Sequence, residues 1–139
     1  MKEGKEMSKS AIYTALTTAT AVAVNGTIPL GATIRRFGCH IRQDGNSITV
    51  SGKGYYKVTV SATVVPDAAG TVTIALNKDG VPVAGAQASE TVTAAATSVA
   101  MPIVAIVRNV CDCDSAVLSF VLKDAASSIT NFAVTVEKL

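Results

Sequence analysis

Two of the chain's three cysteines lie in "RNVCDCDSAV" (residues 108–117), with Asp112 and Asp114 interleaved. The third, Cys39, precedes the single histidine, His40, in "FGCHI". Thiolates, an imidazole and carboxylates are the donors of a zinc site, but tetrahedral zinc usually draws its ligands from two separated pairs. Only the Cys111 and Cys113 pair is present, so "GCH" and "CDC" would have to converge in space to give a three-cysteine, one-histidine set. In an extended run Cys111 and Cys113 point to the same side with Cα atoms roughly 6.5–7 Å apart, the outer limit for a disulfide. Bridging within the pair needs a tight turn. The spacing leaves open a metal site, a disulfide involving Cys39, and plain thiols in a turn. Plain thiols are the ordinary outcome for so weak a pattern, and no metal or other cofactor is expected.

Catalytic signatures are missing. Asp44 follows His40 by four residues, as an orienting carboxylate could, but no nucleophile elbow accompanies them. There is no G-x-S-x-G, no H-E-x-x-H and no phosphate-cradling glycine loop. "SGKG" (51–54) is too short for such a loop and leads into a strand pattern. The chain is not expected to be an enzyme. Arg35 and Arg36 read as a solvated strand end or one side of an intersubunit ion pair, and Tyr13, Tyr55 and Tyr56 as packing residues.

Around these residues the chain is long enough, at 139 residues, for one self-sufficient core. Hydrophobic residues make up 49% but aromatics only 4%, and charged residues reach 16% against roughly 25% in ordinary soluble domains. So little charge on a small domain implies that part of its surface is covered by another subunit. The net charge of +2 is scattered, without the basic face and aromatic platforms of a nucleic-acid binder. No apolar run approaches the roughly 18 residues of a membrane helix. "MKEGKEMSKS" is polar, with Met7 as a second potential start. It lacks an apolar signal core, so reduced thiols are expected.

The elements that must position these residues are strands, because the apolar period is two almost throughout. In "YYKVTVSATVVP" Tyr56, Val58, Val60, Ala62 and Val64 share one face. In "TVTIALNKDG" Val72, Ile74 and Leu76 point inward and Thr71, Thr73 and Asn77 outward, with Asp79 and Gly80 forming a type I′ turn. Phe132, Val134 and Val136 repeat the pattern near the C-terminus. Shorter strands are expected at 11–16, 20–24, 27–30, 33–41 (kinked at Gly38) and 47–51, and the Ala-rich run 88–100 reads as strand, loop and strand. "SVAMPIVAIV" and "SAVLSFVLK" are apolar on both sides, which requires cover on both. Met101, Ile103, Val104, Ile106, Val117, Leu118, Phe120 and Val121 are therefore expected to be divided between the core and a subunit contact. Eight to ten short strands without helices form an antiparallel β-sandwich of jelly-roll type.

"GKGYYKVTVSATV" resembles the strand of tumour-necrosis-factor-like and complement-type globular heads that opens on a glycine and aromatic residues. "IALNKDGVPVAGA" resembles the following hairpin, with its Leu–x–Lys–x–Gly element, and "NFAVTVEKL" the last core strand. The likeness covers residues 11–139. Within it, "IRRFGC", "GYY", "RNVCDCD" and "VEKL" are similar to segments of small proteins of Clostridia and their phages: head fibres, capsid decorations or heads of collagen-like surface proteins. No Gly-X-Y repeat precedes the domain, and its aromatics are few.

The resemblance implies a ten-strand jelly roll in a homotrimer, where a closed three-fold axis uses up an apolar face without leaving an open end. It implies a structural phage protein in the virion or, as the alternative, an adhesion module at a bacterial surface. Residues 1–10, with Lys2, Lys5 and Lys9, are expected to be a flexible attachment arm reaching a capsid or other virion protein. The alternative would recognise a surface glycan or protein through distal loops at 67–70, 79–83 and 125–128. Neither nucleic acid nor membrane is an expected partner.

Overall fold

The computed structural model describes residues 9–139, which form twelve strands and no helix. The expected arm residues Lys2 and Lys5 lie outside the described residues. The strands are β1 (Ala11–Leu16), β2 (Thr20–Val22), β3 (Ala32–Phe37), β4 (Ile41–Asp44), β5 (Ser47–Val50) and β6 (Gly54–Pro66). They continue as β7 (Gly70–Lys78), β8 (Val81–Val92), β9 (Val99–Ala100), β10 (Ile103–Asn109), β11 (Ala116–Lys123) and β12 (Ser127–Lys138). One sheet runs β10-β6-β12-β1-β3, with β2 added to β12 and β9 to β6, and the other runs β4-β5-β11-β7-β8. Every pairing is antiparallel. This is the jelly-roll sandwich that the period of two predicts.

Alternation builds the core directly. Tyr56, Val58, Val60, Ala62 and Val64 of β6 are all buried, as are Phe132, Val134 and Val136 of β12. Facing them from the second sheet are Val72, Ile74 and Leu76 of β7 and Leu118, Phe120 and Leu122 of β11. Phe120 meets Phe132 edge to face across the layers, with ring centroids 5.2 Å apart, the arrangement that aromatic quadrupoles favour. A register shift between Ile129 and Asn131 keeps Ile129 inward at the start of β12.

The expected strand 33–41 is two strands in different sheets. Gly38, at φ 82°, takes the chain from β3 to β4, a conformation that residues with a Cβ rarely adopt. The expected strand 27–30 reduces to one bridge, Thr27 with Val121, although the Ile28 N–H still donates to the Phe120 carbonyl at 2.8 Å. Asp79 and Gly80 both have positive φ, as a type I′ turn requires. The Ala-rich run is the end of β8, a loop and β9, without helix. Thr73 points outward as expected yet is buried, its hydroxyl held between Ser89 Oγ at 2.7 Å and Asp124 Oδ2 at 2.6 Å.

Ser10, grouped by sequence with the arm, is buried in the fold. Its carbonyl accepts the Lys138 N–H at 2.9 Å and its hydroxyl the His40 N–H at 3.1 Å. Thr14 is fully buried beside the register shift between β1 and β3, and its hydroxyl has no hydrogen-bond partner among the described residues.

Two variants test this core. Phe120→Ala should lose about 3–5 kcal/mol of stability in denaturant titration, the usual cost of emptying a buried aromatic site. Thr14→Val, which keeps the shape and removes an unpaired buried hydroxyl, should gain about 1 kcal/mol in the same measurement.

Candidate functional site

The two sheets differ in what lies on their outer faces. Reading β10, β6, β12, β1 and β3 across the register, one outward row is Ile106, Lys57, Glu137, Ala11 and Phe37. The next is Val104, Thr59, Thr135, Tyr13 and Arg35, and Ser61 stands opposite Ala133 further along. Apolar side chains thus stand at both margins, and between them lie the cross-strand neighbours Lys57 and Glu137 in one row and small and hydroxyl residues in the next. Val104 is 63% exposed, Ile106 57% and Phe37 60%. Beside them Tyr55 is exposed under the guanidinium of Arg108, 5.6 Å from its ring centroid. At the other margin Tyr13, Phe37, Arg35 and Thr135 border a shallow apolar depression of about 80 Å³.

Of the residues assigned by sequence to core or contact, only some remain available. Met101, Ile103, Leu118 and Phe120 are buried in the core of this single chain. Their inward parity is satisfied by the facing sheet, so none of the four is divided onto an outer face. Val104 and Ile106 do face outward on β10. Val117 is exposed and Val121 half-buried on β11, in the opposite sheet. Their proposed contact would therefore lie on the far side of the molecule from Val104 and Ile106.

The cysteine loop lies between β10 and β11. A tight turn brings the Cα atoms of Cys111 and Cys113 to 5.1 Å, well inside the separation of an extended run, and the two sulfurs are bonded to each other. Cys39 is free and exposed, so the disulfide considered for it gives way to a bridge within the pair. Among the described residues the donor atoms that come together are those of Cys111, Cys113 and Asp114, within 4.8 Å of one another. Cys39 and His40 are not in that group, and sulfurs bonded to each other are not the thiolates that zinc requires.

One glycine carries much of this end of the sandwich. The buried Tyr56 hydroxyl donates to the Gly52 carbonyl at 2.5 Å and accepts the Gly52 N–H at 3.1 Å. The same carbonyl accepts from Asn109 Nδ2 at 3.2 Å. The His40 ring lies so close that a Cβ on Gly52 would come within 2.6 Å of its Nδ1. Next along the chain, the Lys53 N–H donates to Asp112 Oδ1 at 2.7 Å, tying this turn to the cysteine loop. His40 therefore serves packing. Sequence reasoning missed Asn109, whose only advance sign was its place at the end of a strand just before the cysteines.

The three loops expected at one distal end are split between two. The Asp67 N–H donates to the Ala126 carbonyl at 3.0 Å, placing 67–70 beside 125–126. The Asp79 turn lies at the other end of β7, where its N–H donates to the Val117 carbonyl at 2.8 Å. That second end also carries the cysteine loop, Ser10 and Lys138. Alternation says which face a residue takes but not which end of the sandwich a turn occupies.

Burial raises the Tyr56 phenol above its ordinary value, the Gly52 hydrogen bond pulls it down, and the Asp112 carboxylate adds a further upward push. A raised folded-state value means that the neutral phenol's contribution is complete below pH about 10 and is lost as pH climbs through the folded value. Stability should therefore fall steeply above pH about 10. Tyr56→Phe should remove that part of the alkaline slope while costing about 1–2 kcal/mol at neutral pH, read from denaturant titrations across pH.

Neither a protein-family model nor a curated protein sequence matches the chain. Solved structures do match its fold. Murine APRIL at pH 5.0 superposes with a TM-score of 0.71 at 10% identity, over 94% of this chain and 99% of that one. The globular domain of the zebrafish complement 1qA protein gives 0.68 at 11% identity, over 93% and 95%. PRD1 vertex protein gives 0.63 at 17% identity, over 94% and 96%. The chain thus shares the jelly-roll fold of these structures.

Proposed function

We propose that this chain is a non-catalytic structural protein of a phage particle, assembled as a homotrimer and serving as a capsid decoration or head fibre. The observation that carries the reading is the open face of the β10-β6-β12-β1-β3 sheet. Val104, Ile106, Tyr13 and Phe37 stand exposed there around a strip of small and hydroxyl residues that also carries the cross-strand neighbours Lys57 and Glu137. Burying that face in a closed ring of copies removes apolar area from water at about 25 cal/mol per Å², and cyclic closure keeps the assembly finite. The likeness to PRD1 vertex protein supports a virion setting. Residues 1–9, including Lys2, Lys5 and Lys9, would form the attachment arm to a capsid or other virion protein. They lead into Ser10 at the end that carries the cysteine loop.

The second reading is an adhesion module for a surface glycan or protein. With the arm at that end, the binding loops would be those opposite: 67–70, 93–98 and 125–126. The exposed loop 93–98, with Ala96 held at φ 62°, favours it. Binding to a glycan array through this end would support adhesion over decoration.

The assembly is tested by light scattering on a column. The wild-type chain should elute at three times the chain mass. The double variant Val104→Glu with Ile106→Glu should elute as a folded monomer, since exposed substitutions change intrinsic stability by about 0.5 kcal/mol or less. A monomeric wild type at micromolar concentration overturns the reading. Deleting residues 1–9 should abolish particle association and leave the oligomer intact.

A further inference from the structure

The bridge between Cys111 and Cys113 does not behave as a structural staple. It encloses one residue, and the freedom a disulfide removes from the unfolded chain shrinks with the loop it closes. The loop is already held by other means. Asn109 is buried, and its Nδ2 lies 3.2 Å from the Gly52 carbonyl, 3.3 Å from that of Cys111 and 3.1 Å from that of Asp114. The Asp112 carboxylate accepts the Lys53 N–H, and the Cys111 carbonyl accepts the Asp114 N–H at 3.3 Å. None of these contacts involves the bond between the sulfurs, so opening it leaves both within reach of each other.

The two sulfurs are not equivalent. Cys113 is exposed and open to attack, whereas Cys111 is half-buried. The Cys113 N–H points at Cys111 Sγ from 3.1 Å. A hydrogen bond donated to sulfur stabilises its thiolate, and the better-stabilised thiolate is the better leaving group in exchange.

From this geometry we infer that Cys111–Cys113 is a thiol–disulfide exchange site that accepts an incoming thiolate at Cys113. The incoming sulfur forms a new bond to Cys113 Sγ. The old bond breaks with its electron pair passing to Cys111, which leaves as a thiolate held by the Cys113 N–H. The step is redox-neutral and needs no external oxidant. Its reversal, attack of Cys111 on the mixed disulfide, restores the bridge and releases the partner thiolate. Two sources of the thiolate share this chemistry: a small thiol such as glutathione, and Cys39 of a second copy, free and exposed on the adjoining β3–β4 corner. The inference does not depend on the virion reading.

The experiment uses the full chain. Cys39→Ser protein is incubated with reduced glutathione at mildly alkaline pH, quenched in acid, alkylated and mapped by peptide mass spectrometry. Glutathione should sit on Cys113 and the alkyl group on Cys111, in about ten-fold excess over the reverse arrangement, since exchange discriminates by leaving group and access. Cys111→Ser with the bridge absent should accumulate the adduct once oxidised glutathione is supplied, because no resolving thiol remains. Equal distribution, preference for Cys111, or a bridge that glutathione leaves intact overturns the inference. A melting temperature that collapses on reduction also overturns it, by making the bridge a staple. In a parallel arm, wild-type protein without added thiol is run on a denaturing, non-reducing gel. A cross-linked species whose mapped peptides join Cys39 to Cys113 assigns the thiolate to a second copy, and a single-chain band beside a positive glutathione result assigns it to small thiols.

Discussion

A β-strand has two faces, and the arrangement of this molecule follows from where each is sent. β6 and β12 pair along almost their whole lengths, from Ser127 with Pro66 to Lys138 with Tyr56. On one side they supply the central layer of the core. That commitment fixes the other side as an outer face, and its residues are Lys57, Thr59, Ser61, Ala133, Thr135 and Glu137. β10 and β1, laid against this pair, add Val104, Ile106 and Tyr13 to the same surface. One sheet therefore completes its burial within the chain on one face and presents an unfinished surface on the other.

The residues visible to inspection of the sequence were those governed by local spacing. The alternation in β6, β7 and β12 identifies which side chains are buried, because parity is a property of neighbours two apart. The Asp79-Gly80 turn is equally local. What spacing could not supply is anything that depends on distant partners. The parity of Leu118 and Phe120 was plain, but only the facing sheet, with Phe132 across from Phe120, makes them wholly internal. Gly38 suggested a kink, whereas it transfers the chain between sheets, since each half of 33–41 pairs with a different neighbour. The cysteine pairing was hidden for a related reason. An extended segment would hold the two sulfurs apart, and the turn that joins them is set by Asn109 and by a backbone amide more than fifty residues away.

That amide belongs to a turn where several independent requirements meet. Tyr56 closes the Gly52 peptide from within the core, Asn109 reaches it from the end of β10, and His40 packs on the space where a side chain would be. The Tyr56 hydroxyl and the Asn109 amide are polar groups that would be costly to bury alone, and both find their partners in the same place. The histidine and Asp112 are thus absorbed by structure, and what this end retains with chemistry to spare is the disulfide and the exposed Cys39 thiol.

The position of β1 between β12 and β3 has a kinetic meaning. Ala11 pairs with Glu137 and Leu16 with Phe132, partners separated by well over a hundred residues. β6 likewise waits for β12 before its central ladder exists. Loops of that length must be closed before the contacts that reward them can form, and chains dominated by such distant pairings fold in milliseconds to seconds rather than microseconds. Until β12 inserts, β1 and β6 each expose an unpaired edge of apolar and hydroxyl residues, the kind of edge that invites pairing with another chain. The strand that completes the sheet is therefore also the one that ends the molecule's most aggregation-prone interval.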